Sequence, residues 1–123
     1  MTRLAVVTYN NMAVVYRKMG DYAKALEWFE KALAIDEKKS GKEHPGTAAT
    51  YNNIGEVCRK QGDYAKALEW YEKALAISEN VLSKEHPHTA ATYNNMAMVY
   101  QELGKYEEAL ELYEKALRVD PKA

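Results

Sequence analysis

The tetrad Thr8-Tyr9-Asn10-Asn11 returns at Thr50–Asn53 and at Thr92–Asn95, each time 42 residues further on. Other words keep the same register. GDYAKALEW runs from Gly20 and again from Gly62, and its third copy is GKYEEALEL from Gly104. KEHP begins at Lys42 and at Lys84. Most of the 42 positions agree between the first two copies. Self-similarity at such a period means stacked supersecondary units that share one continuous core. The chain of 123 residues is therefore read as a single domain over 1–123, with repeats at about 5–46, 47–88 and 89–120.

Each unit reads as two helices. In the second copy Pro45 opens the first helix, because proline lacks the N–H that would go unpaired in a first turn. The residue before a proline is pushed out of the α region, which makes His44 a natural cap, as is His86 before Pro87. Gly62 ends this helix in a left-handed C-cap, and Asp63 caps the next with its carboxylate. Tyr64, Ala67, Leu68, Tyr71, Ala74 and Leu75 recur at steps of three and four, the mark of one apolar helical face. Leu68 and Leu75 are expected to be almost fully buried, with Ala67 and Ala74 where helices cross. The third copy has Lys105 in place of the capping Asp, and Glu107 and Glu108 compensate through the helix dipole. The first copy carries Lys39 and Ser40 where the second has the apolar Val81 and Leu82. Its second helix is therefore expected to end early or fray over Asp36 to Ser40.

Taken together, these residues resemble the tetratricopeptide repeat over nearly the whole chain. The aromatics Tyr9, Tyr51 and Tyr93 are followed one turn on by the small residues Ala13, Gly55 and Ala97. The turn glycines Gly20, Gly62 and Gly104 precede Tyr22, Tyr64 and Tyr106. Alanines recur at the crossing positions, from Ala25 and Ala32 to Ala109 and Ala116, beside Phe29, Tyr71 and Tyr113. The usual period of the family is about 34 residues. The longer period here, with its NN pair and HP dipeptide, is similar to the kinesin-light-chain branch. The resemblance implies an all-α, right-handed α-α superhelix of three helix-turn-helix repeats. It also implies a scaffold that holds protein or peptide and catalyses nothing.

Composition narrows the function classes. The chain is 47% hydrophobic and 28% charged, too apolar for a disordered segment. A formal net charge of -1 lacks the basic excess that general nucleic-acid or membrane-surface binding usually needs. The longest uncharged stretch, Leu4 to Tyr16, is too short to span a bilayer. The N-terminus does not read as a signal peptide. The single Cys58 cannot form an internal disulfide, so the fold needs no oxidising compartment and a cytoplasmic setting is the expectation.

No phosphate-cradling glycine loop, nucleophile elbow or metal-ligand spacing is present, so neither a catalytic site, a metal nor another cofactor is expected. His44 and His86 follow the period and read as caps. His86 and His88 lie two apart across Pro87, but no further Cys or His is close in sequence. Cys58 stands where the other copies have Tyr16 and Tyr100, a core position rather than a reactive one. Trp28 and Trp70 are expected to pack against the next unit's first helix, and Leu112 takes their place in the last unit.

The first helices carry the binding signal. Opposite the core face of Tyr51, Ile54, Gly55 and Cys58 lie Asn52, Asn53, Glu56 and Arg59. Stacking aligns such faces into a concave groove, here with a ladder of Asn10, Asn52 and Asn94 flanked by Asn11, Asn53 and Asn95. Asparagine is a poor helix former, yet its carboxamide both donates to and accepts from a peptide backbone. The alternative is that an Asn bonds a neighbouring helix, and one of each kind per unit fits both. Arg17 and Arg59 add positive charge at the groove's edge, so an extended, acidic-leaning peptide is the expected ligand. The same face carries Met98 in the third copy. The lysines of the family's carboxylate-clamp version have no counterpart at Asn10, Val14 and Met98.

A second class of function is self-association, because terminal units of a solenoid leave an apolar face bare. Leu4, Met12, Val15 and Met19 are expected to form that face at the N-terminus. Leu112, Ala116 and Val119 are expected to form it at the C-terminus. Head-to-tail stacking and a symmetric dimer through the last helices both remain open.

Overall fold

A computed structural model describes residues 3–39, 45–79 and 87–119. Six helices follow one another: α1 (Arg3–Lys18), α2 (Tyr22–Lys39), α3 (Pro45–Lys60), α4 (Tyr64–Ile77), α5 (Pro87–Glu102) and α6 (Tyr106–Val119). Among the described residues there is no strand. The helices pair as hairpins, α1 with α2, α3 with α4 and α5 with α6, and the hairpins join through α2 on α3 and α4 on α5. This is the all-α superhelix of three helix-turn-helix repeats that the periodicity implies.

The hairpin turns follow from three glycines. Gly20, Gly62 and Gly104 have φ of 84°, 83° and 78°, a left-handed conformation that a Cβ would strain. At the second turn Gly62 N donates to Arg59 O and Asp63 N to Cys58 O, both at 2.9 Å. These two bonds close a Schellman motif and satisfy carbonyls that the helix end leaves open. Asp63 then accepts from Lys66 N at 3.3 Å and so caps α4, and Asp21 does the same for Lys24 N. One three-residue linker thus ends one helix and starts the next. The proposed caps His44 and His86, and the apolar pair Val81 and Leu82, lie outside the described residues.

The core forms where small residues let helices approach. Ala25, Ala67, Ala32 and Ala74 are wholly buried, and Phe29 and Tyr71 fill the space between them. Gly55 is required by this packing: an added Cβ would lie 2.7 Å from Tyr71 Cε1. Ile54, Val57 and Cys58 complete the interior of the middle repeat. Leu68 and Leu75 depart from expectation. They are only half-buried, packed on the margin of the core, because the alanines and the Tyr71 ring occupy its centre.

One further expectation is corrected. Helix α2 continues without a break to Lys39, so it does not end at Asp36. Asp36 itself is buried, which anchors the end of the helix although Lys39 and Ser40 follow where the second copy has apolar residues. It is α4 whose last turn departs from α geometry, widening to a π turn at Ser78 and Glu79. The indoles find their ring partners inside their own repeats. Tyr9 and Trp28 lie 5.5 Å apart between ring centres, and Tyr51 and Trp70 5.4 Å, both tilted. The antiparallel hairpin brings these rings together, and both indoles also pack on the common core. Lys31 and Lys73 cover the outer faces of Trp28 and Trp70 at 4.2 and 4.5 Å.

Candidate functional site

The first helices α1, α3 and α5 are tied side by side by polar contacts, and these define one face of the molecule. Arg17 Nη1 pairs with Glu56 Oε1 between the first and second repeats. Arg59 Nη1 pairs with Glu102 Oε1 at 2.6 Å between the second and third. The two pairs are not strictly periodic. Glu56 has Met98 as its counterpart in the third repeat, so Arg59 reaches Glu102 instead. Burial pushes the Tyr71 phenol up to about 12, with Arg59 opposing the shift. A hydrogen bond to Glu102 raises that of Tyr64. The glutamate therefore serves a small network of α3, α4 and α5 side chains.

The asparagines divide into two sets. Asn52 Nδ2 lies 3.1 Å from Thr92 Oγ1, and the same hydroxyl lies 3.2 Å from Asn52 Oδ1. The Asn52 amide is thus spent on the neighbouring repeat. The equivalent pair one junction earlier is Asn10 and Thr50. There the Thr50 hydroxyl donates to Gly46 O at 3.2 Å, and Asn10 Oδ1 is buried with no hydrogen-bond partner. Asn94, which has no successor repeat among the described residues, is exposed. In the second set Asn11 is exposed, and Asn53 and Asn95 are half-buried. By helical spacing these three lie above Val14, Glu56 and Met98, and above Lys18, Lys60 and Glu102. Met98 is exposed, and with Gln101, Glu102 and Tyr106 it lines a shallow cleft at the end of this strip.

A second pair of bonds crosses the junctions between the end of one repeat and the first helix of the next. The Tyr51 hydroxyl donates to Glu37 Oε2 at 2.9 Å, and the Tyr93 hydroxyl donates to Glu79 Oε1 at 3.0 Å. Burial, then this bond, pushes the Tyr51 phenol up to about 12 and raises that of Tyr93. Sequence reasoning missed Glu37, Glu79, Thr92 and Glu102. The signal was present for three of them: Thr50 recurs as Thr92 and Glu37 as Glu79, one period apart, as structural partners should.

The end faces need one correction. At the N-terminal end Leu4, Val15 and Met19 are exposed and Met12 is half-buried. At the other end Ala116 and Val119 are buried and Leu112 is half-buried. These three lie on the side of α6 that packs on α5, within their own hairpin. The bare apolar stripe is instead Tyr106, Leu110 and Leu117, one residue round the helix.

Among the described residues no group of three His, Cys, Asp or Glu side chains is placed to hold a metal ion. Burial and the nearby Asp63 raise the Cys58 thiol above its ordinary value. Among the described residues no helix is long and apolar enough to cross a membrane.

A model of the tetratricopeptide repeat matches residues 4–80 and again 48–122. No curated protein matches. Among solved structures, BtubC (BKLC) from P. vanneervenii is similar in fold, with a TM-score of 0.87 at 24% identity over 96% of this chain and 46% of its own. The nearly identical TPR-like repeats of a Podosopora anserina protein assigned as a kinesin light chain give 0.83 at 28% identity, covering 97% of this chain and 57% of theirs. The TPR domain of Arabidopsis FLU gives 0.81 at 20% identity over 94% of each chain. The chain spans 46% and 57% of the lengths of the first two.

Proposed function

Because the chain belongs to the tetratricopeptide-repeat family, with repeats of the kinesin light chain-like type, we propose that it is a non-catalytic scaffold whose first helices hold an extended peptide. The observation that carries this reading is the second asparagine set. Asn11, Asn53 and Asn95 recur once per repeat on one face, and each keeps some exposure. An amide both gives and takes a hydrogen bond, so such a row suits a peptide backbone whatever its side chains. Asn52 is a junction residue in this reading, and Asn10 and Asn94 occupy the corresponding places.

The preference for acidic peptides then takes a defined form. Arg17 and Arg59 are already paired with Glu56 and Glu102, so a ligand carboxylate competes with those glutamates for the guanidinium groups. Both glutamates keep about a third of their side-chain surface in solvent, which leaves room for exchange. The expected preference is modest and weakens with salt, since exposed charges are screened over about 10 Å at 0.1 M. The single thiol supports a scaffold in a reducing, cytoplasmic setting. Cys58 is buried and held protonated, which makes it a poor nucleophile.

A peptide library read by fluorescence anisotropy tests this proposal. Asn53→Ala and Asn95→Ala should each weaken a selected peptide several-fold while the helical circular dichroism stays unchanged. Glu56→Gln should tighten acidic peptides and leave neutral ones alone. Equal binding by parent and Asn53→Ala would remove the asparagine row from the reading.

A further inference from the structure

The two internal junctions show what covers each end face of a repeat. On the upstream side of a first helix, Ile54 and Val57 in α3, and Met96 and Val99 in α5, are buried. Their counterparts in α1, Met12 and Val15, have no preceding hairpin among the described residues. Exposure rises from 0% at Val57 to 56% at Val15. On the downstream side of a second helix, Phe29 and Leu33 in α2 are buried beneath α3. The counterparts in α6 are Tyr113 and Leu117, and exposure rises from 7% at Leu33 to 60% at Leu117. Each bare face is thus one half of a contact that the molecule already makes twice.

We infer that a second copy of this chain docks head to tail, placing the α1 face of Thr8, Met12, Val15 and Met19 on the α6 face of Tyr106, Leu110, Tyr113 and Leu117. The polar register supports this pairing over a contact between two like ends. Asn94 is exposed and lines a shallow cleft with Ala90, Tyr113, Ala116 and Leu117. Its counterpart Asn52 bonds Thr92 at the second junction, whereas at the first Asn10 Oδ1 has no partner and Thr50 donates to Gly46 O; the residue that corresponds to Thr92 and Thr50 at the free end is Thr8. The Thr8 hydroxyl donates to Leu4 O at 3.1 Å. A hydroxyl also accepts, so Thr8 retains lone pairs for an incoming Asn94 amide. An α6 face docked on another α6 face would bring Asn94 no such partner.

The same comparison limits the strength of the contact. At a docked junction Gln101 stands where Arg17 and Arg59 stand inside the chain, and Lys18 stands where Glu102 does. In sequence, position 121, one period after Glu79, is a proline and supplies no counterpart of the Tyr–Glu bond. The intermolecular junction offers the apolar stripe and the Asn–Thr pairing of the second internal junction, but loses the ion pair and the Tyr–Glu bond. Association is therefore weaker than internal stacking. Because a heterologous contact that does not close grows open-ended, its order rises with concentration.

Sedimentation over a concentration series up to millimolar tests this. The parent chain should pass from monomer to dimer and longer species. Val15→Glu blocks the α1 face and Leu117→Lys blocks the α6 face; both residues are exposed, so the fold is retained. Each variant alone should be monomeric, and an equimolar mixture should stop at a one-to-one dimer. Thr8→Ala and Asn94→Ala should each weaken association roughly threefold to tenfold, the worth of one net hydrogen bond. The double variant should lose little more than either single. Thr8 and Asn94 lie on opposite ends of one chain, so that coupling arises only between copies. A parent that stays monomeric throughout, a Val15→Glu chain that dimerises alone, or a mixture that does not pair would each overturn the inference.

Discussion

Glu37 and Tyr51 join the end of one repeat to the start of the next, hydroxyl to carboxylate at 2.9 Å. The same bond recurs between Glu79 and Tyr93. Burial and the adjacent carboxylate both favour the neutral phenol, which holds Tyr51 at about 12 against an ordinary value of 10.0. A pKa raised on folding gives stability that is fully present below pH 10 and is lost as pH rises through about 12. Tyrosinate absorbance at 295 nm should therefore show a late class of tyrosines, ionising as the helices melt. Tyr51→Phe should remove one member of that class and cost about 1 kcal/mol of stability.

Gly55 presents a clear case for overpacking. A methyl group there would meet Tyr71 Cε1 and Cδ1 at 2.7 and 2.8 Å, and the ring is enclosed on all sides. Glycine in a helix normally costs about 1 kcal/mol relative to alanine. Here the sign should reverse, with Gly55→Ala destabilising by about 1–3 kcal/mol in urea denaturation.

The interior can be tested against its margin. Ile54 is enclosed and Leu68 is half-buried. Ile54→Ala should cost about 2–5 kcal/mol. Leu68→Ala removes less buried surface and should cost clearly less. Paired thermal melts compare the two directly, and equal losses would contradict the assigned core.

Helix α6 begins without the cap that serves α4. Lys105 stands where Asp63 accepts from Lys66 N. Asp63→Ala should cost about 1 kcal/mol. Lys105→Asp should stabilise by a smaller amount, since Glu107 and Glu108 already place negative charge in that first turn. Differential scanning calorimetry reads both changes.

How much of this was legible in the sequence depended on whether one segment or two decided the outcome. Glycine position specifies a turn locally, helped by a following Asp in the first two repeats, and the turns at Gly20, Gly62 and Gly104 were read correctly. The role of Asn52 depends on a hydroxyl 40 residues away, so Asn52 and the adjacent Asn53 look alike in sequence. The α6 stripe was misread for a related reason. That helix is apolar on two adjoining faces, one for α5 and one for a following hairpin. One residue of helix rotation, about 100°, separates Ala116 from Leu117. Periodicity detects an apolar face but does not say which neighbour it meets.

The identical words Tyr22–Trp28 in α2 and Tyr64–Trp70 in α4 offer α1 two equivalent partners during folding. What separates them is the length of chain to be closed. The linker between α1 and α2 is three residues, Met19 to Asp21, whereas α4 begins 42 residues further along. Loop-closure entropy grows with the logarithm of length, so the distant match is disfavoured by roughly 2 kcal/mol. It is also reached later, since short loops close first. Between two copies at high concentration that handicap shrinks, and α1 of one chain then has an open route to α2 or α4 of another. Refolding from dilute solution is thus the condition under which tether length, acting as a kinetic address, keeps each helix with its own neighbour.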